Sequence, residues 1–233
     1  MVLHLVGGYM KKQLIYSLLL VFLTTECVTI RSDMDGKFSN NTKKYLNAKK
    51  VDIVFVVSHL RQAKGFDAIP KLEKKHQIIS GFDDILKDAS QEISNIEKYT
   101  TYTELSTDSS EPKRLALKDT LIATHDFSIE IQIRKEWSFA KHFLGTLGSI
   151  FSATIAPIAY TTDFSVSVGV NDSDGYLLGN YTRNAKTTLW LEAFLLPIYP
   201  FHTEKRKTEE IYVEILHDIF NQIETEKILT KKE

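Results

Sequence analysis

Between residues 51 and 227 the spacing of apolar positions changes several times, and each change marks an element. Val51 to Val57 (VDIVFVV) is nearly continuous and β-branched, the pattern of a strand buried on both faces. Ile78, Ile79, Phe82, Ile85, Leu86, Ala89 and Ile93 then recur at spacings of three and four, which predicts helix, with Gly81 weakening or splitting it. Tyr99 to Leu105 (YTTYTEL) reads as a short strand, so the region opens β-α-β. STDSSEP (106–112) is a loop, and Lys113 to Thr124 a short helix with Leu117, Leu121 and Ile122 turned inward. Phe127, Ile129, Ile131 and Ile133 alternate with polar residues, as do Phe164, Val166, Val168 and Val170; each is a strand with one wet face. NDSDG turns the second of these into a partner strand over Tyr176 to Leu191, a hairpin. Thr208 before Glu209 and Glu210 predicts a helix start, and Ile211, Ile215, Leu216, Ile219, Phe220 and Ile223 give the closing helix its apolar stripe.

These elements predict one α/β domain (α+β mixed) over residues 51–227. It has a mixed β-sheet flanked by helices, a β-α-β start, a β-hairpin and a C-terminal helix, and residues 228–233 form a polar tail. Val28 to Lys50 is polar, with clustered Asn, Ser, Asp and Gly and no apolar period, and is expected to be a tether.

Upstream the pattern is different. Lys11 and Lys12 precede the uncharged run Leu14 to Leu23 (LIYSLLLVFL), which has the length of a signal-peptide core and falls short of a span of about 20 residues. Thr24, Thr25 and Glu26 lead to Cys27, the sole cysteine of the chain. This stretch resembles a bacterial lipoprotein signal, with 1–26 as signal peptide and translation starting at Met10. The resemblance implies that Cys27 is acylated and becomes the first mature residue, heading a segment 27–50 of lipidated cysteine and tether. Leucine at −4 and Glu26 at −1 depart from the usual box. A plain secretory signal or an amino-terminal anchor is the alternative, although a lone thiol in an exported protein invites unwanted pairing. Val28 after the cysteine implies the outer membrane rather than retention at the inner one.

Charge narrows the partners. Removing residues 1–26 takes Lys11, Lys12 and Glu26 from 29 basic and 30 acidic residues, leaving a formal charge of −2. A near-neutral chain gives no electrostatic reason to expect nucleic acid. Hydrophobic content of 43% is that of a packed globular protein.

The run TDFSVSVGVNDSDGYLLGNYTRNAKTTLWLEAFLLPIYPF resembles a class of small bacterial envelope lipoproteins. Its pieces are the strand Phe164 to Val170, the turn Asp172 to Gly175, Tyr181, Trp190 and the segment Leu195 to Phe201. The β-α-β start and final helix are similar to the amino-terminal domain of the Tol translocation protein, an architecture shared by lipoproteins that activate penicillin-binding proteins and by the curli secretion lipoprotein. The resemblance implies an envelope location and brings no catalytic residues with it.

The chemistry-bearing motifs are few. G-x-S-x-G, a Walker loop, a Rossmann fingerprint and H-E-x-x-H are all lacking from the sequence. NDSDG fails the calcium-loop pattern at its first and twelfth positions, Val170 and Tyr181. The seven histidines form no close pair, so no metal, no cofactor and no enzymatic activity are expected. His125-Asp126 stands at a strand entrance, where neighbours face opposite ways, and His217 beside the last helical stripe reads as a surface residue. Phe143 to Tyr160 (FLGTLGSIFSATIAPIAY) is an uncharged run of 18 residues. It is read as a buried crossover, as a surface meeting membrane or a partner through Phe143, Leu144, Leu147, Ile150, Phe151 and Ile155, or as a second span. PIYPFHTEKRK (Pro197 to Lys207) is a stiff apolar loop before a charged run. The expectation is a lipid-anchored envelope protein with a non-catalytic binding or assembly domain and an envelope protein partner, through an apolar loop or a strand edge. The alternative is a subunit of a homo-oligomeric, membrane-inserting secretion or pore complex using residues 143–160.

Overall fold

The computed structural model describes residues 27–39, 44, 48–64, 70–74, 81–151, 158–191 and 203–230. Strands β1 (Cys27–Arg31), β2 (Val51–Lys64) and β3 (Pro70–Lys74) precede helix α1 (Phe82–Ser90) and strand β4 (Ile96–Glu104). Helix α2 (Pro112–Thr124), strand β5 (Phe127–Ser138) and helix α3 (Phe139–Phe151) follow, then the hairpin β6 (Ile158–Asp172) and β7 (Leu177–Leu191), and helix α4 (Glu204–Glu226). The strands form one mixed sheet in the order β1-β7-β6-β5-β2-β3, with β4 also pairing β2. β2 runs parallel to β4 and β5, and the other pairings are antiparallel. The expected mixed α/β domain, with its β-α-β start, hairpin and closing helix, is present.

β2 is central because its side chains are apolar on both faces. Val51, Ile53, Phe55 and Val57 enter the main core with Ile129, Ile131, Ile133, Phe164, Val166, Val168 and Val170. α1 closes this face with Phe82, Leu86 and Ala89, and α4 with Ile211, Ile215, Leu216, Ile219, Phe220 and Ile223. On the other face Val54 and Val56 meet Tyr102 beneath Leu121 and Ile122 of α2.

Five expectations change. The tether is the largest. Residues 27–31 pair with β7 from Cys27 opposite Leu191 to Arg31 opposite Thr187, Val28 and Thr29 are buried, and Met34 joins the core. The segment continues as a strap: Asp35 N–H donates to the Asn184 carbonyl at 2.8 Å, and Phe38 N–H donates to the Asp218 carboxylate at 3.0 Å. Beneath it, Arg183 and Asp218 form an ion pair at 2.7 Å with both side chains 7% exposed. Arg31 and Lys37 both reach Glu214. Burial would raise the Glu214 carboxyl, but these two cations outweigh it and hold its pKa below the ordinary value. A polar composition therefore hides a segment held by backbone pairing and ion pairs, with only Val28 and Met34 among its described residues adding apolar burial.

The others are local. Gly81, at φ 78°, caps the start of α1, an angle that a residue without Cβ takes at little cost, while Ile78 and Ile79 lie outside the described residues. β3 was not expected: its sequence PKLEK has too few apolar residues to show a strand. Leu117 is 50% exposed where the helix pattern turned it inward, and α2 has no fully buried residue. α4 begins at Glu204, not at Thr208, and is capped by Thr203, whose side chain accepts from Arg206 N–H.

Candidate functional site at the Cys27 end of the sheet

The register decides which chain passages share one end of the sheet. Cys27 lies opposite Leu191, and Leu191 opposite Ile158. β5 reaches the same end at Ser138, paired with Lys64 of β2. α4 starts there too, since Glu204 bonds Lys135 near the close of β5 at 2.8 Å. The sequences joining these strands and helices are mostly apolar: GFDAI (65–69), SATIAP (152–157) and EAFLLPIYPFH (192–202) carry two acidic residues and no Lys or Arg. The opposite end, by contrast, holds Asp126 and the turn Asp172–Gly175, in which Asp172 accepts from the N–H groups of Asp174 and Tyr176.

α3 lies across the Cys27 end with two unlike faces. Its inner face packs on the sheet. The His142 ring stacks on Tyr160 at 4.7 Å and meets Trp137 edge-on at 5.1 Å, while Arg61 lies over the Trp137 ring at 4.7 Å. His142 Nδ1 donates to the Ser138 carbonyl at 2.7 Å, and Thr146 Oγ1 bonds the Tyr160 hydroxyl at 3.1 Å. Gly145 permits this approach: a Cβ there would stand 2.7 Å from Tyr160 Cε1 and 3.0 Å from Ile158 Cγ2. Gly145→Ala, which would stabilise a free helix by about 1 kcal/mol, is expected instead to cost about 1–3 kcal/mol by overpacking. Faster proteolysis within 139–151, with the core unfolding transition retained, checks it.

The outer face is apolar and exposed. Leu144 is 61% exposed, Phe151 86% and Phe143 44%, and Leu147 is half-buried. The spacings 144, 147 and 151 keep these side chains on one stripe. Of the remaining residues named from sequence, Ile150 falls within the helix and Ile155 lies outside the described residues. The buried-crossover expectation is thus corrected for Leu144 and Phe151. The second-span expectation also changes, because the run divides between α3 and β6. Among the described residues no helix is long and apolar enough to cross a membrane.

The polar clusters elsewhere tie elements together. Asp108 accepts from the Tyr102 hydroxyl at 2.9 Å and pairs with Arg114 at 2.6 Å, joining the end of β4 to α2. His217 stands between Glu92 (2.9 Å) and Asp88 (3.1 Å), linking α4 to α1. His125 bonds the Leu121 carbonyl and Thr100, while Asp126 accepts from Asp52 N–H, so the structure does not bring this dipeptide together as a pair. Over the outer sheet face, Asp35, Arg134, Asp163, Asn184 and Lys186 line an open groove of about 410 Å³ with charges of both signs. No group of three His, Cys, Asp or Glu among the described residues is placed to hold a metal ion.

Sequence reasoning named the outer residues of α3 but not their relation to Cys27. That relation depends on β1 pairing with β7, and a five-residue strand in a polar segment carries no periodic signal.

No family model matches the chain, and no curated protein does. Thirteen solved chains match. One is the PelC dodecamer from Paraburkholderia phytofirmans in space group P6, 8% identical over 88% of this chain and 99% of that one, with a TM-score of 0.32. Another is a point variant of the same dodecamer in space group C2, 7% identical over 84% of this chain and 98% of that one, with a TM-score of 0.30.

Proposed function

We propose that the chain is a lipid-anchored protein of the bacterial cell envelope, at the outer membrane, whose domain binds protein partners or supports envelope assembly without catalysis. One observation carries this reading: the sole cysteine follows the signal-like run Leu14 to Leu23 and pairs through β1 with β7. Acylation of its sulfur would attach lipid directly to a strand of the sheet. A triacylated cysteine exceeds the two-chain requirement for stable anchoring.

The expected result is a mature mass matching a chain that begins at triacylated Cys27, recovered with membranes, and a Cys27→Ala protein that loses this mass and this partitioning. An unmodified thiol in the mature protein would sink the reading.

The exposed stripe of α3 favours a second reading, a subunit of a homo-oligomeric membrane-inserting complex. A helix of 13 residues is about 20 Å long, against an apolar core of about 30 Å, so insertion would be partial. A discrete oligomer that protects residues 143–151 from protease would favour it.

A further inference from the structure

We propose that α3 lies flat on a lipid surface, with Leu144, Leu147 and Phe151 immersed at the boundary of headgroups and acyl chains and Phe143 beside them. This deepens the anchored reading and rests on it for what brings the membrane near. Three observations single out lipid as the occupant. Cys27 pairs at the end of the sheet that α3 crosses, so a lipid on its sulfur would meet the domain on this side. Cys27 is also held in the sheet, with Phe38 N–H on buried Asp218 fixing the strap behind it. An anchor without slack presents one end of the domain to the membrane, and that end carries the exposed stripe.

The third observation is the arrangement of charge. The stripe from Leu144 to Phe151 contains no ionisable side chain. Exposed Lys141 stands one turn before Leu144 on the same helix, whereas the exposed Lys205 and Arg206 at the start of α4 pair with Glu209 and Glu210. An exposed, uncharged apolar face with a lysine at its start suits an interfacial helix. The inner face, keyed by His142, Gly145 and Thr146 onto Trp137 and Tyr160, fixes the roll of α3 so that the stripe stays outward.

The sole cysteine makes a clean test available. On a Cys27→Ser background, Leu144→Cys accepts one environment-sensitive fluorophore, and Tyr176→Cys (Tyr176 is 71% exposed, at the opposite end) serves as control. Each chain, from residue 27, is held by an amino-terminal histidine tag on vesicles of phosphatidylethanolamine and phosphatidylglycerol containing nickel-chelating lipid. The expected result is loss of emission at 144, and none at 176, when the acyl chains carry nitroxide. A water-exposed, unquenched label at 144 overturns the proposal. A label at 144 shielded from water but unquenched, together with a concentration-dependent oligomer, also overturns it and assigns the stripe to a second copy. The tag replaces the acyl chains, so quenching at 144 stands even if Cys27 proves unmodified in cells, where only the anchor reading would fail. An acylated Cys27 with no quenching would sink the helix proposal alone.

Discussion

Asp218→Ala is expected to destabilise the domain by about 3–5 kcal/mol, because it strands the Arg183 guanidinium in the interior. Arg183 projects on the core-facing row of β7, between Tyr181 and Ala185, and is 6% exposed. Asp218 takes its Nε at 2.7 Å, Gln222 takes the other arm, and the same carboxylate accepts the Phe38 N–H. Removing it breaks the charge pair and the last clasp of the strap together. The cost should therefore be accompanied by faster hydrogen exchange over 27–39 than over β2. Replacing both partners by apolar residues, Arg183→Met with Asp218→Leu, should recover most of the loss, since no buried charge then remains. Urea titration of the two single variants and the double measures the coupling. A single variant within 1 kcal/mol of the parent would mean that water reaches Arg183.

Phe55→Ala carries a comparable expected loss, about 3–5 kcal/mol, by a different cause. Phe55 is fully buried on β2, edge-on to Tyr99 at 5.5 Å and stacked on Phe220 of α4 at 5.8 Å. It joins three elements, so the cavity left behind can close only if β2, β4 and α4 move together. The denaturation midpoint should fall with an unchanged slope. Phe151→Ala removes the same atoms from a residue 86% exposed and is expected to change stability by less than about 0.5 kcal/mol. That contrast separates a side chain serving the fold from one available to a surface. Against domain stabilities of about 5–15 kcal/mol, the first substitution threatens folding and the second does not.

How much was legible in the sequence follows from which force holds each part. β2, β5, β6 and α4 are held by apolar burial, and the nearly continuous run of β2, the period of two in β5 and β6 and the spacings of three and four in α4 show it directly. β1 and its strap are held by a ladder to β7 and by ions, and neither leaves a periodic trace in VTIRSDMDGKF. The inward row of β7 reads Tyr181, Arg183, Ala185, Thr187, a mixture from which no face can be chosen until Asp218 is known to lie opposite. The apolar run 143–160 was visible as an oddity. Its division into a helix and the start of a strand was not, because a short apolar stretch is compatible with either. The candidate site was thus named in its parts and hidden in its assembly.

The pairing of β1 with β7 also sets an order in time. Cys27 meets Leu191, a residue 164 positions later, and the strap meets α4, made later still. At about 5–20 residues per second, roughly 10–30 s of synthesis separate the two partners. Through that interval the backbone around Cys27 has no strand to join. Completion of β7 and α4 then closes it. The fold finishes by sealing its own beginning.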